Sequence, residues 1–336
     1  MTAHAAPGPR HHLKHVAVHL LTPLLMCLGM GLAYLGAFHA PEPHGMKVAV
    51  VGGSAQAHAL ARTIEERAGE ALDVTTVADR REAVGLLEDR ELAGAYVPDA
   101  RHPEALIAKA NSDTTAVAVT TVFRSVSDRQ GVPLKVTDLS PLTEGDPTGQ
   151  GIFFLLVALS IGSYGSVAAI GAAGAALRPG LRAAAGLAAS LAVSVIGIVL
   201  AAPVFHIVDH DYATVWAMSW LYSAGVITFG IGLHTFLKRW TTLAMVVLFV
   251  MLNFTSSGGV FRPELQNGFF GALHAFWNGA GFVEGVRSLL YFDGGAGFGG
   301  RLVSLALWLV AGAALLAVAA AAERRRAARA VAPATA

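Results

Sequence analysis

The sequence predicts an α-helical integral membrane protein with six transmembrane helices, a small extracytoplasmic α/β domain between helices 1 and 2, and a re-entrant outer segment before helix 6. Three observations carry this prediction. Of 336 residues, 54% are hydrophobic and only 14% charged, too apolar for a water-soluble domain of ordinary composition. The charges are segregated, because residues 46–150 hold 11 of the 24 Lys and Arg and 16 of the 23 Asp and Glu. One water-exposed block therefore interrupts an apolar chain. Third, four separate basic clusters fall on one side of the bilayer if the chain crosses it six times.

Residues 1–15 form a basic cytoplasmic N-terminus, with Arg10, Lys14 and histidines at 4, 11, 12 and 15. The histidines have no carboxylate or cysteine support, so a solvated terminus explains them better than a metal site. Residues 16–38 contain no charged side chain and exceed the roughly 20 residues a span needs. This run is too long for the h-region of a cleaved leader, and Phe38-His39-Ala40-Pro41 offers no small-x-small cleavage site, so an uncleaved anchor is expected. Cys27, the sole cysteine, has no partner for an intrachain disulfide.

Residues 39–150 read as the α/β domain. KVAVV at 47–51 has strand character and leads through Gly52-Gly53-Ser54 into an amphipathic helix ending near Arg67. GGSAQAH has neither the GxGxxG spacing nor a Lys-Ser/Thr ending, so a plain strand-to-helix turn is preferred over a phosphate site. Further strands are expected at 74–77, 93–97, 105–110 and 134–137. Helices are expected from Asp79, where Glu82 completes a capping box, and over 112–129. No nucleophile with a base, paired acid or metal set stands out, so no enzymatic activity and no cofactor are expected.

From 151 to 322 the chain is apolar again, with spans expected at 152–176, 183–205, 213–237, 241–254 and 302–322. The basic clusters are Arg10 and Lys14, Arg178 and Arg182, Lys238 and Arg239, and Arg324, Arg325, Arg326 and Arg329. The positive-inside rule puts them, both termini and the tail at 323–336 in the cytoplasm. Gly162, Ser166, Gly171 and Gly174, and Gly225, Gly230 and Gly232, are spaced for close helix contacts. His206, Asp209, His210 and Asp211 lie in an outer loop, where a polar turn explains them as well as a metal does. The net charge of +1 offers nothing to nucleic acid.

Residues 253–293 are punctuated by Gly, Pro, Asn and a few charges that lipid-exposed helix does not tolerate. Both ends lie outside, so the segment dips in and returns or lies along the outer leaflet. Phe269, Phe270, Phe276, Trp277 and Phe282 suit a membrane interface. Glu284 and Arg287, three residues apart on one helix face, can pair.

The anchor span, a domain opening with VAVVG, the exit VTDLSPLTEGDPTG, then NFTSSGGVFRPELQNGFF and VEGVRSLLYFD before the final span together resemble the YhgE/Pip and DUF3533 group. That group is related to ABC-2 type transporter permeases. The likeness covers nearly the whole chain, and SSGG-x3-P-x-L-x-N-G-F-F is its most specific part. The resemblance implies an ABC-2-like membrane domain at 151–322, in contact with membrane lipid and assembled as a homodimer. It implies a plasma-membrane permease that exports a hydrophobic or amphipathic compound, with segment 258–290 capping the pathway. By the same resemblance Asn253, Ser256, Ser257, Gly258, Gly259, Pro263, Gly268, Phe269 and Phe270 form the turn of an outer gate, and Glu284 and Arg287 the polar pair of the following helix.

No Walker A sequence occurs in the chain, so any ATPase is a separate ABC subunit. The loop between spans two and three is only residues 177–182, where such permeases usually present a helix-forming loop to the ATPase. That shortness favours the alternative, a non-transporting scaffold or receptor whose outer domain binds a partner.

Overall fold

The computed structural model describes residues 9–174, 176–295 and 297–331. The histidines at 4, 11, 12 and 15, Arg10 and Lys14 lie outside the residues whose side chains are described. The first helix, α1 (Pro9–Phe38), leads into a mixed sheet and three helices. These are β1 (Met46–Val51), α2 (Ala55–Ala68), β2 (Leu72–Val77), α3 (Arg80–Glu88), β3 (Gly94–Val97), β4 (Glu104–Ile107), α4 (Asp113–Gln130) and β5 (Lys135–Asp138). The helices that follow are α5 (Gly151–Ala173), α6 (Pro179–Val199), α7 (Tyr212–Leu237), α8 (Thr241–Val246), α9 (Leu252–Thr255), α10 (Gly268–His274), α11 (Asn278–Tyr291) and α12 (Phe298–Val331).

The sheet order is β2-β1-β3-β4-β5, parallel throughout except for antiparallel β3 and β4. Central β1 is buried on both faces, which explains its near-continuous apolar run. Val48, Val50 and Tyr96 face Ala61, Ile64 and Phe123 of α2 and α4, while Ala49, Ala95 and Leu106 face Ala83 and Leu87 of α3. Gly94 is obligatory, because a Cβ there would lie 2.4 Å from Val119 Cγ1.

Asp79 caps α3 by accepting from Arg81 N at 2.8 Å and Glu82 N at 2.9 Å. Glu82 reaches back to Ala78 N at 2.6 Å, one residue beyond the cap that the motif names. The fourth strand ends at Ile107 rather than 110, because Asp138 Oδ1 accepts the Lys109 N–H at 3.0 Å and takes it out of the ladder.

Among the described residues, five helical stretches are long and apolar enough to cross a membrane: Leu20–Phe38, Gly151–Ala173, Pro179–Val204, Tyr212–Thr255 and Phe298–Arg329. The expected separate spans at 213–237 and 241–254 are one helical stretch of 44 residues. A straight helix of that length would be about 66 Å long, but this one folds back on itself. Its turn is at Lys238, whose φ is 48°. Beyond the turn the two arms pair: His234 meets Thr241 at 3.1 Å, Phe229 meets Phe249 at 5.7 Å between ring centroids, and Tyr222 meets Asn253 at 2.8 Å. A π-helical stretch, Val247–Met251, interrupts the second arm, and another, Leu200–Val204, ends α6 around Pro203.

Helix α7 is the hub, packed against α5, α6, α8, α11 and α12. Its glycines admit α12 closely. A Cβ on Gly232 would sit 2.8 Å from Leu316 N, and one on Gly225 3.4 Å from Leu309 N. Gly162 meets Val193 and Gly171 meets the His234 ring, but Gly174 meets only its own helix at Ile170.

At one end of the bundle Arg182 of α6 bonds Glu323 of α12, whose other oxygen accepts from Thr235 of α7 at 2.9 Å. At the other end Asp146, 4% exposed, caps α5 by accepting from Gln150 N at 3.1 Å and Gly151 N at 2.8 Å. Phe38 at the end of α1 stacks on Phe261 there, at 5.7 Å. The basic clusters around α6, α7 and α12 thus gather opposite the α/β domain.

These contacts predict that Gly232→Ala, which forces backbone apart, destabilises the detergent-solubilised protein by about 1–3 kcal/mol. Gly165→Ala, where nothing lies within 4 Å, should be neutral or slightly stabilising. Thermal unfolding of both variants checks this.

Candidate functional site

The stretch 253–293 is folded between the bundle and the α/β domain. Asn253, Thr255, Ser256 and Ser257 are fully buried. The helix stops because Ser257 Oγ bonds Phe254 O at 2.9 Å and accepts Gly259 N at 3.1 Å, an alternative to the helical ladder. Gly258 then takes a φ of 76°. A Cβ there would lie 2.6 Å from Glu284 Oε1, so both the backbone angle and the close carboxylate require glycine.

Residues 256–262 are non-helical, and the carbonyls of Thr255, Ser256 and Gly258 at the start of this stretch find side-chain partners. Gln266 Nε2 donates to Thr255 O at 2.6 Å, His274 Nδ1 donates to Ser256 O at 2.9 Å, and Arg287 Nη1 and Nη2 both reach Gly258 O at 3.3 Å. Three side chains thus supply the donors that this buried irregular backbone lacks.

Asn253 ties the segment to the bundle. Its Oδ1 accepts Gly279 N at 2.7 Å at the start of α11, and its Nδ2 donates to Tyr222 OH at 2.8 Å. Tyr222 OH donates onward to Ser160 Oγ at 2.6 Å, and Ser160 donates to Leu156 O at 2.7 Å. One amide thus joins α9, α11, α7 and α5. Trp277 packs against Trp308 of α12 at 5.5 Å and donates to Leu248 O at 3.1 Å.

Glu284, 1% exposed, is the centre of the site. Its Oε1 accepts from Arg287 Nη1 at 2.7 Å, and its Oε2 accepts from Nη2 of Arg90, which follows α3 in the α/β domain. Arg90 also donates to Ser288 Oγ at 2.8 Å and, through Nε, to Asn111 Oδ1 at 2.7 Å, and it lies over the Phe292 ring at 5.4 Å. Arg262 bonds the same Asn111 oxygen and Glu264 Oε1, the latter at 2.9 Å. Arg90 has a φ of 61°, in the left-handed region where a helix C-terminus normally carries Gly or Asn. The position gives up backbone ease to aim a guanidinium at Glu284.

Burial pushes the Glu284 carboxyl upward, but Arg90, Arg287 and Arg262 outweigh it and hold it ionised, well below the usual carboxylate range. Burial draws Arg90 down to about 10 against the pull of Glu284, leaving it charged at neutral pH. Burial takes His274 down to about 4, so it donates to Ser256 O as a neutral imidazole.

Of the residues singled out by sequence, Asn253, Ser256, Ser257, Gly258, Gly259, Glu284 and Arg287 come together in this buried knot. Pro263 opens a short 3-10 turn, Gly268 and Phe269 are exposed, and Phe270 packs toward Gly36 of α1. Among the five aromatics expected at an interface, only Phe269 and Phe276 are exposed, at 61% and 55%, and the other three are buried. Sequence reasoning missed Arg90, Asn111, Arg262, His274 and Ser288. The one local signal was an Arg where α3 ends.

In the loop between α6 and α7, His210 Nδ1 bonds Asp209 Oδ1 at 2.6 Å and Tyr212 OH donates to Asp209 O at 2.6 Å. No set of three or more His, Cys, Asp and Glu converges among the described residues. Comparison with known proteins finds no matching family model, curated protein or solved structure.

Removing one member of a buried ion pair strands the other. Glu284→Ala is therefore expected to cost about 3–5 kcal/mol, whereas Glu264→Ala costs less, because its partner Arg262 is partly exposed and keeps the Asn111 side-chain oxygen as acceptor. Unfolding in detergent, alongside growth or efflux, checks the ranking, and equal small effects would remove Glu284 from its central place.

Proposed function

We propose that this chain is the membrane subunit of an ABC-2-permease-like exporter. It works as a homodimer in the plasma membrane and moves a hydrophobic or amphipathic compound, and any ATPase is a separate chain. The observation that carries the reading is the irregular stretch 256–262, buried over 256–259, held by His274, Arg287 and Gln266 and braced by two short helices. A bundle that only anchored a domain would have no need of irregular backbone sealed inside it, whereas a pathway needs a cap that can be displaced as a unit.

The fold-back of 212–255 supports six crossings, because each arm runs the opposite way. Contacts among Arg182, Thr235 and Glu323 gather three cation-rich helix ends, which the positive-inside rule makes cytoplasmic. The α/β domain and the cap are then extracytoplasmic and both termini cytoplasmic. The long apolar helices carry almost no ionised side chain at mid-length, which suits an apolar passenger better than an ion.

One observation favours the receptor alternative. Leu60, Ile64, Val122 and Val126 line an uncovered groove of 340 Å³ between α2 and α4, on a domain that Arg90 couples directly to the cap.

Accumulation of a fluorescent lipid analogue in cells lacking the chain separates the readings. Export predicts several-fold higher retention, restored by wild type and not by Glu284→Ala, whereas retention unchanged from wild type contradicts export. Failure of any ATPase to co-purify with the solubilised protein would remove the ATP-driven form alone.

A further inference from the structure

At the end of the bundle away from the α/β domain, a cleft of 260 Å³ opens between α5, α7 and α8. Buried Val167 and Met245 form its apolar wall, and His234, Lys238 and Arg239 form its polar end. No Asp or Glu lines it. Among the described residues neither Lys238 nor Arg239 has a carboxylate within ion-pair distance, and Glu323, at the same end, is taken up by Arg182 and Thr235.

The cleft has a built frame. Thr241 donates its hydroxyl to Lys238 O at 2.7 Å and so accepts from His234 Nδ1 at 3.1 Å, which fixes the imidazole as a wall. Gly171 leaves the room beside it, since a Cβ there would come within 2.8 Å of His234 Cε1. The left-handed backbone of Lys238 brings two exposed cations together at the apex of the turn, with Arg239 over the Trp240 ring at 5.3 Å. A cation and an indole side by side are the usual anchors at headgroup level.

On its open side the cleft is bordered by Ala168 and Ala172, small exposed residues of a helix long and apolar enough to span a membrane. A bilayer offers that side acyl chains, and the unpaired cations select the headgroup. We propose that this cleft binds an anionic phospholipid, with the phosphodiester on Lys238 and Arg239 and an acyl chain over Ala168 and Ala172. Basic pockets between membrane helices hold such headgroups by charge, each cation near the surface contributing a modest amount. The inference is independent of export and holds equally for a receptor.

Native mass spectrometry of the full chain in detergent, titrated with phosphatidylglycerol or phosphatidylcholine, tests it. Phosphatidylglycerol should bind at least about tenfold more tightly, and Lys238→Ala with Arg239→Ala should weaken it roughly 30-fold. Ala172→Trp, which crowds the open side of the cleft from an exposed position and keeps both charges, should weaken phosphatidylglycerol binding too. Arg324→Ala with Arg325→Ala, basic residues outside the cleft, should leave it nearly unchanged. Equal binding of the two lipids overturns the proposal, as does indifference to the cleft substitutions. An equal loss in the Arg324 and Arg325 variant would mean diffuse attraction only, and displacement by inorganic phosphate would mean a free-anion site.

Discussion

A carboxylate cannot be taken out of water without company, and Glu284 is 1% exposed. Everything around it follows from meeting that demand. Arg287 pairs from one turn along α11 and Arg90 from the α/β domain, while Arg262, held by Glu264 and Asn111, adds its positive charge from the irregular stretch before α10. Arg287 is local, whereas Arg90 lies 194 residues away, so ionising Glu284 requires the α/β domain and α11 to be docked together. The pair adds little net stability over an apolar isostere, but a misdocked arrangement leaves charge buried and unmatched. The ionic centre therefore acts through specificity of docking more than through strength.

The same knot reconciles irregular backbone with an apolar bundle. The carbonyls of Thr255, Ser256 and Gly258 lack helical partners and would each be costly in hydrocarbon. Gln266, His274 and Arg287 supply the missing donors. Arg287 therefore serves Glu284 and Gly258 at once, which links the charge balance to the shape of the turn. Asn253 carries the linkage down to Tyr222 and Ser160 within the bundle. A displacement of the α/β domain therefore reaches the helices through few bonds.

Much of this architecture was legible from local pattern. Alternating strand and helix signals gave the α/β domain, hydropathy gave the apolar helices, and the i,i+3 spacing of Glu284 and Arg287 gave their pair. Glycine spacing marked Gly225 and Gly232 as close helix contacts, and the folded chain supplies their partner, the α12 backbone. What sequence could not supply were partners fixed only by tertiary folding. Arg90 is 194 residues from Glu284, and no periodicity links them. The aromatics of the cap divide into exposed Phe269 and Phe276 and buried Phe270, Trp277 and Phe282, because two short helices turn them to opposite sides. The strand expected to reach 110 stops at 107 because a side chain, Asp138, competes for its ladder.

Arg90 and Glu284 act on each other across the junction of the α/β domain and α11. A double-mutant cycle of Arg90→Ala and Glu284→Ala, read by equilibrium unfolding in detergent, measures that coupling without the cost of each truncation alone. The structure predicts a coupling of at least about 1.5 kcal/mol, with the double variant far less damaged than the two single effects added. Strict additivity of the two substitutions would contradict it and would leave the α/β domain merely resting on the cap.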